Sequence, residues 1–367
     1  MPAVRKRSSL APRQTTQAMP DPARLVVLSP NWLGDAVMAL PAVADLRRRY
    51  PAAHLAVAAR ASVAPVFELA AGVDAVITLR WKGRVFDRTA ALADAATLRD
   101  AAFDAAVLLP NSMASAWLVR RAGVPERWGY AADYRSPLLT RAVPKPRGSR
   151  HQAKYYQHLT EALGAAAGPL EAVLTARAGD VAEARALLIA RGWDGVRPLV
   201  ALAPGAAYGH AKRWPPERYA AVVSTLVSEH GATCVLVGAG VDADATRQVG
   251  ELATADARPH IIDLANATTL RTLAGVLSLA NTCVSNDSGA MHLAAALGVR
   301  VVALFGPTRD KETAPLARAA RPATLLIHDV FCRPCMLREC PIDHRCMTGL
   351  EPARVQAAVA EAMRQPA

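Results

Sequence analysis

The chain has 367 residues, of which 52% are hydrophobic and 20% are charged, and its formal net charge is +12 with a pI near 9.9. This length excludes a single small binding module and predicts two domains, while the apolar content excludes intrinsic disorder of the whole chain. Aromatic residues make up only 5%, which disfavours a base-stacking surface for single-stranded nucleic acid, and the apolar runs are too short to span a membrane.

The basic excess is concentrated in two stretches. Residues 1–24 carry five basic residues against one acid in a Ser/Thr/Gln/Pro-rich sequence, and we predict a basic disordered tail there. This stretch lacks the apolar core of a secretory signal, so the predicted location is the cytoplasm. Residues 82–150 hold twelve basic against six acidic residues. This excess suits an anionic partner such as a phosphate or an acidic membrane, or else it only decorates a solvated surface.

From residue 25 the chain alternates short β-branched runs with longer amphipathic ones. Such alternation is typical of βαβ units around a parallel sheet. The strands predicted in the first half are Leu25–Ser29, His54–Ala58, Ala75–Leu79 and Ala105–Leu109. The alternation fades after Tyr130, and the first α/β domain is therefore assigned to residues 25–180.

The second half repeats the alternation, and its domain is assigned to residues 181–350. The strands predicted there are Leu199–Ala203, Thr233–Val237, Ile261–Leu264, Thr282–Ser285 and Val299–Phe305. Two such domains would place a ligand cleft between the carboxyl ends of their strands. A last helix within 351–367 could cross back onto the first domain.

The first strand leads through Asn31 and Gly34 to Asp35, at the start of a predicted helix. A glycine beside an acid at a strand-to-helix turn lies where a parallel sheet presents its chemistry. Asp35 is therefore a candidate general base. Its position alone is better explained by an acid that caps the helix and complements its dipole.

The first strand of the second domain is followed by Gly205, and Lys212 lies seven residues later. The arrangement is similar to a phosphate-binding turn, although it is not a GxxxxGK[ST] loop. Lys212 would act as a point charge on a diphosphate. The alternative is a solvated lysine that precedes a helix.

The segment from Asp287 to His292 begins a helix directly after a strand. Free backbone N–H groups at Ser288 and Gly289 and the positive end of the helix dipole would face an anion such as a diphosphate. Met291 could pack under a base, and His292 could reach the phosphates or a sugar hydroxyl. The alternative is an N-capped core helix with a buried, hydrogen-bonded histidine.

Four of the six cysteines lie close together, at Cys332, Cys335, Cys340 and Cys346, with His344 among them. Such a cluster predicts either a structural zinc site or free thiols that can form a labile disulfide. The spacing is shorter than that of a zinc ribbon, which favours the thiols.

Five segments in order resemble the lipopolysaccharide heptosyltransferases of glycosyltransferase family 9, and most closely their heptosyltransferase II branch. They are NWLGDAVMALPAVADLRRRYP (31–51), PGAAYGHAKRWP (204–215), VSNDSGAMHLAAALG (284–298), VALFGPT (302–308) and CRPCMLRECPIDHRCM (332–347). The resemblance implies a GT-B fold, with two Rossmann-like parallel-sheet domains facing a central cleft. It also implies an inverting transferase without cofactor or metal, which moves L-glycero-D-manno-heptose from ADP-heptose onto the first heptose of the lipopolysaccharide inner core.

The resemblance gives roles to individual residues. Asp35 matches the catalytic acid that takes the proton of the acceptor hydroxyl, and Asn31 and Gly34 lie in the acceptor loop. The residues implied to bind the nucleotide sugar are Gly205, Lys212, Asp242, Asp287, Ser288, Gly289, Met291 and His292. The implied acceptor is Kdo2-lipid A carrying one heptose, bound by a monomer that is peripheral on the anionic inner face of the inner membrane.

Two alternatives stay open at this point. One is heptosyltransferase I, or a related enzyme with another acceptor. The other, from a different class, is a zinc-stabilised nucleic-acid-binding protein, suggested by the pI and the cysteine cluster. The scarcity of aromatic residues and the lack of a helix-turn-helix or RNA-binding signature argue against it, and no nucleic-acid partner is expected.

Overall fold

The computed structural model describes residues 21–84 and 87–364, which form two α/β domains, each on a six-stranded parallel sheet. The predicted basic tail therefore lies outside the described residues, except for residues 21–24. No helix among the described residues combines the length and the apolar character needed to cross a bilayer.

The first sheet has the strand order β3-β2-β1-β4-β5-β6. All its strands are parallel, but the order in which they are added along the sheet reverses between β1 and β4. Its strands are β1 (Arg24–Leu28), β2 (His54–Arg60), β3 (Ala75–Leu79), β4 (Ala105–Leu108), β5 (Glu126–Tyr130) and β6 (Arg141–Val143). Its helices are α1 (Leu33–Met38), α2 (Leu40–Arg49), α3 (Ala64–Glu68), α4 (Arg88–Asp100), α5 (Met113–Arg121) and α6 (Gln152–Ala162). Open parallel sheets bind ligands at such a reversal, outside the carboxyl ends of the strands.

The second sheet repeats this topology, with the order β9-β8-β7-β10-β11-β12 and a reversal between β7 and β10. Its strands are β7 (Leu199–Ala203), β8 (Thr233–Leu236), β9 (Ile261–Asp263), β10 (Thr282–Asn286), β11 (Arg300–Phe305) and β12 (Thr324–Ile327). Its helices are α7 (Ala178–Ala190), α8 (Pro216–His230), α9 (Ala243–Leu252), α10 (Leu270–Leu279), α11 (Gly289–Ala296), α12 (Asp310–Thr313), α13 (Arg345–Thr348) and α14 (Pro352–Arg364).

Every strand predicted from the alternation is present, with ends that shift by at most two residues. The sequence analysis missed β5, β6 and β12, which lie at or next to the edges of the two sheets. Two of them, ERWGY in β5 and RAV in β6, carry charged residues and lack the continuous apolar run of a central parallel strand, whereas TLLI in β12 is an apolar run of only four residues. The alternation therefore does not end at Tyr130, because β6 and α6 follow it.

The boundary between the domains falls just before α7, which packs against α10 of the second domain. The C-terminal helix α14 does not make the expected crossing to the first domain but packs against α8, β10 and β11. Its buried side chains Val355 and Val359 belong to the same apolar core as Val200 and Val302, so the second domain already covers its apolar face.

One apolar core joins the two domains. It contains buried side chains of the first domain, such as Val37 and Leu46, together with Met291 and Leu293 from α11. The helices α1 and α11 make the most extensive of the contacts between the domains. Since α1 follows β1 and α11 follows β10, the reversal points of both sheets meet at this junction.

Candidate active site

Asp35 lies in the first turn of α1 and is partly buried. Burial raises the pKa of its carboxyl, while the positive charge of Lys212 opposes this shift and the negative charge of Asp287 adds to it. The helix begins without a side-chain cap, which contradicts the capping alternative, although Asp35 still complements the helix dipole. A carboxylate whose pKa is raised above its ordinary value is a stronger base, which suits it to accept a proton from a substrate hydroxyl.

The loop before Asp35 opens onto the carboxyl edge of the first sheet. Asn31 is exposed and lines a small cavity of about 60 Å³ together with Ser29, Arg60 and Ser112. These residues follow or end β1, β2 and β4. The cavity therefore lies at the reversal point of the first sheet.

Lys212 and Asp287 form a buried ion pair at the corresponding point of the second sheet. Lys212 Nζ lies 2.7 Å from Asp287 Oδ2, and the two side chains are only 13% and 5% exposed. Thr308 Oγ1 donates a hydrogen bond to the same carboxylate oxygen at 2.7 Å. The ammonium also lies 4.8 Å from the centroid of the Tyr208 ring. The lysine is therefore held in a fixed position beside the start of α11, and the alternative of a freely solvated lysine is wrong.

The turn at Gly205 is shaped by two buried polar side chains. Asn286 donates to the carbonyl oxygen of Pro204 at 2.7 Å. A Cβ atom at Gly205 would lie 2.1 Å from Asp242 Cγ, so only glycine fits there. Asp242 is 7% exposed and packs against this turn. It therefore offers little accessible surface to a nucleotide sugar. A cavity of about 780 Å³, large enough for a nucleotide, opens beside this turn with Arg213 in its wall.

The start of α11 has no side-chain cap from its own N-cap residue. Ser288 is its N-cap residue in extended conformation, but its side chain does not cap the helix, and its Oγ lies 2.9 Å from Ser285 Oγ instead. The Ser288 side chain therefore leaves the first backbone N–H groups of the helix uncapped, and these groups carry the positive end of the helix dipole. Met291 is fully buried in the core between the domains, so the expected contact with a base is replaced by packing.

His292 is buried at the contact between α1 and α11, with 3% of its surface exposed. Burial lowers its pKa to about 4, so the ring is neutral at neutral pH. Its Nδ1 has no hydrogen-bond partner among the described residues. The histidine is therefore buried, as one alternative predicted, but it is not fully hydrogen-bonded.

Two glycines allow α1 and α11 to approach so closely. A Cβ atom at Gly34 would lie 2.8 Å from His292 Cδ2, and one at Gly289 would lie 2.7 Å from Leu33 Cβ. Each helix thus has a glycine where the other helix inserts a side chain. This reciprocal contact sets the position of Asp35, the residue after Gly34, relative to the start of α11.

The four thiols of the cysteine cluster differ in their burial. No group of three or more His, Cys, Asp or Glu side chains is arranged to hold a metal ion in the part of the chain that the structure describes. Cys346 is buried in the core of the second domain, whereas Cys335 is exposed. Burial raises the pKa of the Cys346 thiol to about 11, and the other three thiols of the cluster add to this shift. Both the zinc and the free-thiol interpretations stay predictions.

Sequence analysis did not assign roles to Tyr208, Asn286 or Thr308. Each follows or ends a strand of the second sheet at its carboxyl edge, which is the signal that could have identified them. Their contacts with Lys212, the Gly205 turn and Asp287 depend on pairings across the sheet that spacing along the chain does not reveal.

Comparisons with known proteins agree with this geometry. A family model described as glycosyltransferase family 9 (heptosyltransferase) matches residues 92–345. Lipopolysaccharide heptosyltransferase 2 of Salmonella typhimurium is 30% identical over 311 residues, which cover 83% of this chain and 88% of the relative.

Solved structures show the same two-domain architecture. Escherichia coli ADP-heptose lipopolysaccharide heptosyltransferase II matches with a TM-score of 0.79 and 25% identity, covering 93% of this chain and 98% of that one. A glycosyltransferase family 9 protein of Veillonella parvula matches with a TM-score of 0.81 and 22% identity, covering 93% and 97%. The GT-B expectation is confirmed, and the nucleic-acid-binding alternative is wrong.

Proposed function

Since the chain belongs to glycosyltransferase family 9, the heptosyltransferases, we propose that it transfers L-glycero-D-manno-heptose from ADP-heptose onto the first heptose of the lipopolysaccharide inner core. The relatives named heptosyltransferase 2 from Salmonella and Escherichia coli each align with 83% of the chain. The observation that carries the proposal is the group formed by Asp35 and the Lys212–Asp287 pair where the reversal points of the two sheets meet.

In the proposed reaction Asp35 takes the proton from the acceptor hydroxyl as its oxygen forms a bond to the anomeric carbon of the donor. The bond from that carbon to the diphosphate oxygen breaks, ADP leaves, and the anomeric configuration inverts. Lys212 and the N–H groups at the start of α11 stabilise the negative charge that grows on the diphosphate. Asp287 positions the lysine. These two sources of positive charge supply the compensation that a divalent cation would otherwise provide.

The proposed acceptor is lipid-linked, namely Kdo2-lipid A that carries one heptose. Its phosphates and carboxylates are anionic, which suits the basic excess of residues 82–150. Each basic side chain near an anionic membrane surface contributes about 1 kcal/mol of attraction, and salt screens it. We therefore place the protein peripherally on the cytoplasmic face of the inner membrane.

The direct test is ADP release by the purified protein with ADP-heptose and either of two acceptors. Release with Kdo2-lipid A that carries one heptose, and not with bare Kdo2-lipid A, is the expected result. Release with the bare acceptor would instead indicate heptosyltransferase I, and no release with either would refute the proposal.

The role of Asp35 is tested with Asp35→Asn. This variant should lose about 10² to 10⁴ in turnover, because the amide cannot accept the proton, while its affinity for ADP stays unchanged. The matched control is Asp100→Asn, which changes an exposed acid at the end of α4 and should keep full turnover. Equal turnover of the two variants would contradict the assignment.

A further inference from the structure

An apolar groove of about 680 Å³ lies on the first domain, lined by residues of α4, α5 and the chain after β3. Its walls include Trp81, Leu92, Met113 and Trp117. Leu92, Met113 and Trp117 are 47%, 38% and 37% exposed, and the rings of Trp81 and Trp117 meet edge to face at 5.4 Å. A contiguous apolar surface of this kind usually marks an interaction site.

Two further exposed aromatic side chains follow, in sequence, residues that line this groove or the small cavity beside it. Trp32 is 59% exposed and follows Asn31 in the chain. Asn31 lines the small cavity at the end of the first sheet, and Trp81 lines both that cavity and the groove. Tyr134 is 94% exposed and follows Asp133 of the groove wall. Exposed tryptophan and tyrosine are typical of protein surfaces at a membrane–water interface, since their rings are apolar while their N–H and O–H groups stay hydrated.

The charges around the groove are mainly positive. Arg84 and Arg88 line it, and both are exposed. Asp133 is the acid in its wall, and its carboxylate already accepts a hydrogen bond from the backbone N–H of Met113 at 2.6 Å. The groove therefore combines apolar walls with cations at its rim, which complements the acyl chains and phosphate groups of anionic phospholipids.

The groove lies on the same edge of the molecule as the candidate active site. It shares Trp81 and Ser112 with the small cavity at the carboxyl ends of β1 and β4. That cavity includes Asn31, on the loop that leads to Asp35. A membrane that covers the groove would therefore lie beside the entrance to the acceptor side of the cleft.

We propose that this groove docks the protein onto an anionic phospholipid bilayer. Leu92, Met113 and Trp117 enter the interfacial apolar layer, while Arg84 and Arg88 bind the phosphates of the headgroups. This inference rests on the proposed function in one respect, which is that the acceptor is linked to a lipid. When the groove is docked on the membrane, such an acceptor would emerge next to the cleft.

The test is flotation of the full chain with vesicles of phosphatidylethanolamine and phosphatidylglycerol, against vesicles of phosphatidylcholine alone. The double variant L92E/M113E should lower binding to the anionic vesicles at least tenfold, because it places two carboxylates against the bilayer. The matched control is I189E, which adds a carboxylate at a half-exposed position of α7 in the second domain and should bind as the unchanged chain does. R84Q/R88Q should lower binding to the anionic vesicles by about tenfold or more and weaken its salt dependence.

The two proposals can fail separately. Vesicle binding is measured without any donor or acceptor, so it is informative even if no sugar transfer is found. L92E/M113E should also keep transfer to a deacylated, water-soluble acceptor while losing it on an acceptor embedded in vesicles. Binding of L92E/M113E equal to that of I189E would overturn the docking surface. Light scattering that shows a dimer dissociated by L92E/M113E, with vesicle binding intact, would also overturn it and assign the groove to a second copy of the chain.

Discussion

The contact between α1 and α11 predicts the effect of adding one methyl group at Gly34. In Gly34→Ala the new Cβ would lie 2.8 Å from Cδ2 and 3.2 Å from Nε2 of His292. Carbon atoms in contact normally lie at about 3.5 Å or more, so the overlap is about 0.7 Å. The ring cannot move into solvent, because His292 is only 3% exposed and is packed between the domains.

The overlap must therefore be relieved by moving α1 away from α11 or by straining the ring. Overpacking of this kind costs about 1–3 kcal/mol, and the better helix propensity of alanine returns about 0.5–1 kcal/mol. We expect a net loss of about 1–2 kcal/mol in the free energy of unfolding. Because Asp35 is the next residue, its displacement should also reduce turnover by about 10- to 100-fold.

Urea unfolding and ADP release measure the two effects. The matched control is Gly250→Ala within α9, where no atom would lie within 4 Å of the new Cβ, so stability should rise slightly and turnover should not change. Combining Gly34→Ala with His292→Ala should remove the overlap, so that the double variant is no less stable than His292→Ala alone. If Gly34→Ala were as stable and active as Gly250→Ala, the proposed contact would be refuted.

Three further predictions concern charge. Lys212→Met should raise the pKa of Asp35 further and move the acid limb of the pH–rate profile to higher pH. Asp287→Asn should lower this pKa and move the acid limb to lower pH. If both variants moved the acid limb in the same direction, the electrostatic account would be contradicted. The pKa of His292 is about 4 in the folded state and about 6.5 in the unfolded state. Between these two values the unfolded state binds a proton that the folded state does not bind. The free energy of unfolding should therefore fall by up to about 3 kcal/mol as the pH drops from about 6.5 to about 4. His292→Asn should lack this part of the acid loss in urea unfolding at pH 7 and pH 4.5, and an unchanged loss would disprove its origin in His292. EDTA should leave ADP release unaltered, whereas inhibition reversed by added Mg²⁺ would show that the reaction needs a metal.

The sequence predicted the central strands well for a physical reason. Strands such as β1 and β7 are covered on both faces and read as continuous apolar runs, as in RLVVL and LVALA. The position of Asp35 followed from the rule that chemistry lies at the carboxyl ends of parallel strands, whereas the role of Asp287 was implied only by the family resemblance. The alternation gave little indication of β6 and β12, because RAV and TLLI are too short to be told from a loop by their pattern.

Other features depend on packing that one sequence does not reveal. The pairing of Lys212 with Asp287 joins residues 75 positions apart along the chain. Met291 was predicted to lie under a base because it is near the anion site, but the first domain covers that face of α11. The cysteines of 332–346 are close in sequence, yet Cys346 faces the core while Cys335 faces solvent.

The apolar core shared by the two domains also bears on how the chain can be divided. A single core buries Val37 and Leu46 of the first domain together with Leu293 of the second domain. A fragment that ends before α7 would expose the first group of side chains to water, and the complementary fragment would expose the second. Neither half is therefore an independent module, and the two halves should unfold as one cooperative unit.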